Sequence, residues 1–199
     1  MTEADALPTL RLMLDANAVA APVHASAVTC REVVDFYFDA MAKADLTKKP
    51  PGIENVFFRF DVKGPDMTAE SRRALYESWI LAKAFQDLMR GVRASLEQAY
   101  LFTELILHPR RQTKSDSTLD DLIAPLLKEA ADLNFPGLLA KVNSRLDAPL
   151  NFAPAYRSMQ KARNCFEHRG GIVGKSDVGG ADSMDLSFQI GRASCRERV

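Results

Sequence analysis

Residues 163–168 read Arg-Asn-Cys-Phe-Glu-His, and their types and spacing suggest chemistry more specifically than any other segment. Arg163 carries a permanent charge and a planar set of donors that suits a phosphate. His168 exchanges protons near neutral pH and lies one helical turn beyond the amide of Asn164. These three side chains are therefore the candidates for a phosphodiester site, with a fixed cation for the phosphate and a group for proton transfer.

The helix that must position these residues is expected to open at Pro154 and to stop at Gly170. Position 163 falls within an apolar stripe at helical spacing. The stripe is formed by Phe152, Tyr156, Met159 and Phe166. Since arginine cannot lose its charge, Arg163 is predicted to have a carboxylate partner or to lie in a cleft or a subunit interface.

The order Arg, Asn, three residues and His, at the end of a helix in an all-α bundle, resembles the HEPN superfamily. The Gly-Gly-Ile-Val sequence at 170–173 is also similar to the segment after the motif in some members. The resemblance covers residues 67–189 and implies a metal-independent endoribonuclease that acts as a homodimer, with two motifs facing one cleft. It implies that Arg163 stabilises the phosphate, Asn164 is its polar neighbour and His168 is catalytic, without a cofactor.

Members of this superfamily occur in prokaryotic toxin, abortive-infection and CRISPR-associated systems, so the resemblance implies RNA and a cognate antitoxin or defence-system protein as partners. Between residues 154 and 175 there are five Lys or Arg and one Glu, which favours contact with RNA. The candidate RNA contacts are Arg157, Lys161, Arg169 and Lys175. Residues 110–114 add three cations, and a solvated face is the alternative explanation for either cluster.

Two other interpretations of the motif remain open. The first is a catalytically inactive HEPN-like module that binds RNA, a nucleotide or a partner through the same groove. The second is a purely structural dimerisation bundle, in which Arg163 pairs with a carboxylate of its own chain and His168 lies favourably against the negative end of the helix dipole.

The other elements predict an all-α antiparallel bundle with a small mixed N-terminal region, residues 1–66, of unknown role. In that region Thr29 is expected to cap a helix over 31–41, and residues 56–62 alternate as a strand. From Thr68 an apolar stripe continues for almost forty residues, with a possible break near Gly91.

Three shorter helices are expected after this long one. The first, over 119–133, is capped by Ser117 or Thr118 and is kinked or restarted at Pro125. The second opens at Pro136 and ends near Leu146, and the third carries the motif. A loop comes next, and then residues 184–188 alternate like a truncated strand.

Residues 190–199 resemble, codon for codon, the translation of a common sequencing adapter, so we expect them to be a non-native tail. They contain three Arg and one Glu, so 26 basic and 26 acidic residues become 23 and 25 without them, a net charge of −2. The native segment keeps two cysteines, Cys30 and Cys165, without a Cys-x-x-Cys pair, which favours a reducing, cytoplasmic setting.

Two further site types are disfavoured by the sequence. His24 and His108 have no partner at metal-ligand spacing, and the Gly-Lys-Ser sequence at 174–176 comes after a helix and has Arg169 where a phosphate-binding loop needs its first glycine. No apolar run approaches the roughly 20 residues that span a bilayer, so no membrane partner is expected.

Overall fold

The computed structural model describes residues 13–48, 66–107, 118–169, 173–178 and 183–186. Within these ranges every regular element is a helix, which confirms the all-α prediction. The helices are α1 (Ala16–Lys43), α2 (Ala69–Leu107), α3 (Leu119–Asp132), α4 (Phe135–Ser144), α5 (Ala153–Arg169) and α6 (Lys175–Val178). The expected strand at 56–62, the linker at 108–117 and the tail at 190–199 lie outside the described residues.

Helix α1 begins well before the predicted start. Its N-cap is Asp15, whose carboxylate accepts from the backbone N–H of Asn17 at 2.9 Å, so the prediction that Thr29 is the cap was wrong. The helix continues through Pro22. A helix tolerates an interior proline when a neighbouring element supplies a partner for the disturbed backbone, and here the Ser95 hydroxyl of α2 accepts from the Val23 N–H at 3.1 Å.

Helices α1 and α2 pack side by side in opposite directions. Val23 of α1 bonds to Ser95 of α2. Cys30, later in α1, donates its thiol hydrogen to the carbonyl of Ala84, earlier in α2, at 3.1 Å. The two helices therefore run antiparallel. Burial raises the pKa of Cys30, with a further contribution from the negative charge of Asp87.

Gly91 lies at a close approach between α1 and α2. A Cβ added there would lie 2.6 Å from Cβ of Ser26 and 3.0 Å from the carbonyl oxygen of Pro22. The break that the sequence suggested near Gly91 is absent, since α2 is one helix of 39 residues. The glycine removes a side chain at the helix crossing.

The three shorter helices start as the sequence predicts. Thr118 forms a capping box with Asp121, which confirms one of the two predicted caps of α3. Helix α3 continues through Pro125 without restarting, and α4 has Pro136 in its first turn, with Asn134 as its cap. Helix α5 starts at Ala153, directly before Pro154.

Polar and aromatic contacts fix the directions of these helices against α2. Arg93 donates to the carbonyls of Ala131 at 3.0 Å and Leu133 at 2.9 Å. Tyr100, later in α2, hydrogen-bonds to Glu129, earlier in α3, so α3 runs antiparallel to α2. Lys141 lies 5.6 Å from the ring centroid of Tyr100.

Helix α4 runs in the same direction as α2, because Lys141 lies beside Tyr100 and Arg145, at the end of α4, reaches a residue one turn further along α2. Arg145 pairs with the buried carboxylate of Glu104 at 2.8 Å. Helix α5 returns antiparallel to α2 and brings Phe166 edge-on to Phe85, with ring centroids 6.1 Å apart. The result is a bundle in which α2 contacts α1, α3, α4 and α5.

The hydrophobic core lies between the second half of α2 and the helices α3 to α5. Its fully enclosed members, at most 1% exposed, are Tyr100, Ala130, Leu138, Leu139 and Val142. Burial raises the pKa of Tyr100, and hydrogen bonding to Glu129 adds to the effect.

Two C-terminal expectations need correction. Residues 175–178 form one helical turn where a loop was predicted. Residues 184–186 have no regular structure, so the described part of the predicted strand at 184–188 is not a strand, and the rest lies outside the described residues.

Candidate functional site

Helix α5 packs against the bundle through a narrow face of small side chains. Ser158, Ala162 and Cys165 are buried at successive helical turns, each 7% exposed or less. The predicted apolar stripe is confirmed in part, because Tyr156 and Met159 pack against the core, whereas Phe152 and Phe166 are 50% and 43% exposed. Small residues occupy the position nearest the core, and the larger aromatic rings lie at the edges of the contact.

Arg163 lies at the margin of this packed face. Its side chain is 31% exposed, and its Nη2 lies 2.5 Å from Oε2 of Glu167, one turn later in the helix. Its Nη1 donates to Oδ1 of Asn164 at 3.3 Å. The carboxylate partner that the sequence predicts for Arg163 is thus present within its own chain, as the purely structural interpretation also expects.

Asn164 is held by a second helical neighbour. Its Oδ1 accepts from Nε2 of Gln160 at 2.9 Å as well as from Arg163. Gln160 and Glu167 were missed in the sequence analysis, although each lies four residues from its partner, a spacing at which helical side chains meet. The site in the structure is therefore a group of four side chains, from Gln160 to Glu167.

His168 lies in the last turn of α5, and its side chain is outside the described residues. At about 100° per residue, positions 164 and 168 differ by about 40° around the helix, whereas 163 and 168 differ by about 140°. The structure therefore brings Arg163 and Asn164 into contact, and helical register alone places His168 near Asn164.

Two of the candidate RNA contacts lie on exposed positions of the same helix. Arg157 and Lys161 are exposed, and with Asn164 they follow the spacing of one helix face. Lys175 is exposed in α6, whereas the side chain of Arg169 and residues 110–114 lie outside the described residues. A basic approach to Asn164 along α5 is thus compatible with the fold.

Arg163 differs from Arg72, Arg93 and Arg145 in what it bonds. Arg72 donates to the backbone carbonyls of the segment after α1, Arg93 reaches the end of α3, and Arg145 joins α4 to α2. Among the described residues, the hydrogen bonds and ion pair of Arg163 all stay inside α5. Arg163 therefore does not tie the described elements together, unlike the other three.

The Arg163–Glu167 ion pair has a helical spacing at which ion pairs are individually weak. Partly exposed pairs at this helical spacing contribute about 0.3–0.5 kcal/mol. A phosphate that makes two charge-assisted hydrogen bonds to a guanidinium gains more than this. The pair can therefore open when an oxyanion arrives.

The described residues contain no group of three or more His, Cys, Asp or Glu placed to hold a metal ion. None of the described helices is long and apolar enough to cross a membrane. Comparisons with protein-family models, curated proteins and solved structures gave no match to this chain.

Proposed function

We propose that the protein is a HEPN-like, metal-independent endoribonuclease of the toxin, abortive-infection or stress-response type, acting on RNA at a composite dimer cleft. The observation that supports this proposal most is the bonding of Arg163. It is a partly buried arginine that links no described elements, contacts Asn164 and precedes a histidine at the end of the same helix.

In the proposed reaction the ribose 2′-oxygen attacks the adjacent phosphorus and the bond from phosphorus to the 5′-oxygen breaks. The products are a 2′,3′-cyclic phosphate and a 5′-hydroxyl. One proton leaves the 2′-hydroxyl and one reaches the 5′-oxygen, and the His168 side chains of the two protomers are suited to these transfers. Arg163 stabilises the negative charge that accumulates on the phosphorane oxygens.

The rate acceleration that the proposal requires of His168 and Arg163 is within the usual range for catalytic side chains. A positioned acid or base contributes about 10²–10⁴-fold, and one donor to a developing oxyanion about 10²–10³-fold. Neither role needs a buried site, but both need the motif helix to be fixed. The burial of Ala162 and Cys165 against the bundle provides that support.

The direct test incubates the purified protein with RNA in the presence of a chelator. Arg163→Ala and His168→Ala are each expected to lower kcat/KM at least about a hundredfold. Arg31→Ala is the matched control, because Arg31 also pairs with a carboxylate four residues later, Asp35, but in the exposed part of α1. Cleavage that survives both motif substitutions would remove the proposal.

A second candidate is the catalytically inactive module. The own-chain ion pair of Arg163, which the purely structural interpretation predicts, also favours a site without turnover, because a carboxylate already satisfies the charge that catalysis requires. This candidate predicts that the wild-type protein binds RNA or a partner without consuming it. RNA turnover that depends on His168 would exclude it.

A further inference from the structure

Glu167 occupies one donor of the guanidinium that receives the RNA phosphate in the proposed function. Its carboxylate is 2.5 Å from Nη2 of Arg163, and its side chain is 22% exposed, so it is held against the helix. A guanidinium has two edges that can clamp an oxyanion with parallel N–H bonds, and Nη2 belongs to both of them. A phosphate on either edge therefore lies beside the carboxylate, and two anions on one cation repel each other.

Asn164 limits how far Arg163 can turn away from this competition. Its amide oxygen accepts from Nη1, and Gln160 holds the same oxygen from the preceding turn. The guanidinium is thus positioned on one side by an amide and occupied on the other by a carboxylate. An incoming phosphate can replace the carboxylate and keep the amide contact.

We infer that Glu167 is a competing ligand of Arg163, which RNA must displace and which sets the affinity of the site for phosphodiester. This inference rests on the proposed function, since it assumes that Arg163 receives the RNA phosphate. Removal of the Glu167 charge then strengthens RNA binding. A purely structural role of Glu167 predicts no such gain.

The chain supplies a closely matched control pair. Arg93 and Glu97 in α2 have the same order and spacing, with N–O at 2.8 Å and side chains 33% and 28% exposed, against 31% and 22% for Arg163 and Glu167. Glu97→Gln therefore removes the same charge from a pair of similar exposure in another helix.

The experiment measures the affinity for a fluorescent 2′-O-methyl RNA oligonucleotide, which has no free 2′-hydroxyl and so is not cleaved. Glu167→Gln should bind about two- to fivefold more tightly than wild type, the range set by losing a partly exposed ion pair. Glu97→Gln should remain within about twofold. In an Arg163→Ala background the gain from Glu167→Gln should disappear, because there is no longer a cation to compete for.

Unchanged or weaker binding by a folded Glu167→Gln variant would overturn the inference, as would a gain of equal size in Glu97→Gln or no RNA binding by any variant. Should Glu167→Gln fail to fold, Glu167→Ala carries the same expected gain and the same contrary outcomes. Cleavage of unmodified RNA is measured separately. Protein that binds but never cleaves refutes the nuclease proposal and still lets the binding series decide the role of Glu167.

Discussion

Two Arg–Glu pairs of identical order and spacing lie in different helices, Arg93–Glu97 in α2 and Arg163–Glu167 in α5. Their exposure is nearly the same, although Arg93 bonds its glutamate through Nε at 2.8 Å and Arg163 through Nη2 at 2.5 Å. They differ in the remaining donors of the arginine, because Arg93 reaches two carbonyls at the end of α3 whereas Arg163 reaches the neighbouring Asn164.

The difference shows that pairing with a carboxylate does not by itself identify an arginine as structural. The ion pair is the feature that the two sites share. What distinguishes them is whether the remaining donors satisfy backbone groups of another element. By that criterion Arg93 is part of the scaffold, whereas the described bonds of Arg163 stay within its own helix.

The largest effect expected from this comparison is on stability. Arg93→Ala should lower the free energy of unfolding by about 1–3 kcal/mol, because it removes the hydrogen bonds to Ala131 and Leu133. Arg163→Ala should change it by no more than about 0.5 kcal/mol, the value of its helical pair. Urea denaturation of both variants measures the two changes in the free energy of unfolding. Equal losses would contradict the distinction between Arg93 and Arg163.

A smaller effect is expected at the other end of α3. The Thr118 hydroxyl accepts from the backbone N–H of Asp121 at 3.3 Å, and Thr118→Ala should cost about 1 kcal/mol, as for other lost N-caps. The same denaturation assay measures it. A negligible cost would show that the Thr118 cap contributes little to the stability of the bundle.

The pH dependence gives an independent check of that cap. Hydrogen bonds from the Thr118 backbone N–H and hydroxyl lower the pKa of Asp121. A carboxyl whose pKa is lower in the folded state stabilises the fold above its unfolded pKa, and this contribution is lost as pH falls below about 4. Asp121→Asn should therefore reduce the acid sensitivity of unfolding and leave the alkaline side unchanged.

The smallest expected effect is the coupling energy within each Arg–Glu pair, which should be the same in both helices. Double-mutant cycles on Arg93/Glu97 and on Arg163/Glu167 should each give a coupling of about 0.3–0.5 kcal/mol, and both should decrease at high salt. Unfolding measured at two salt concentrations provides the cycles. A much larger coupling in α5 would mean that its pair is a structural lock, contrary to the exchange inferred for Glu167.

Local signals in the sequence predicted most of the helix boundaries. Thr118, Pro136 and Pro154 each belong to the start of a helix because a cap or a fixed φ acts within one turn. The start of α1 at Asp15 was missed, because an interior proline normally argues against a helix and only tertiary contact with α2 compensates for Pro22.

The sequence predicts part of the site, because some of its contacts are between neighbours on one helix. The Arg163–Glu167 and Gln160–Asn164 contacts follow from helical spacing alone, so the sequence contains them. The buried face of α5 does not follow from hydrophobicity, because the fit against α2 and α4 selects Ala162 and Cys165 instead of the phenylalanines. Such choices depend on the shape of the neighbouring helices.

The two halves of α2 differ in how they are enclosed, and this has a consequence for local unfolding. From Met89 onward α2 contributes several buried members of the main core, whereas among the described residues before it in α2 only the partly buried Phe85 packs against that core. Trp79 there and Phe36 of α1 are 55% and 75% exposed. Regions with few buried apolar contacts open with less free energy than the core. Backbone amides in the first half of α2 should therefore exchange with solvent through partial openings, while those beside Tyr100 exchange only when the whole bundle unfolds.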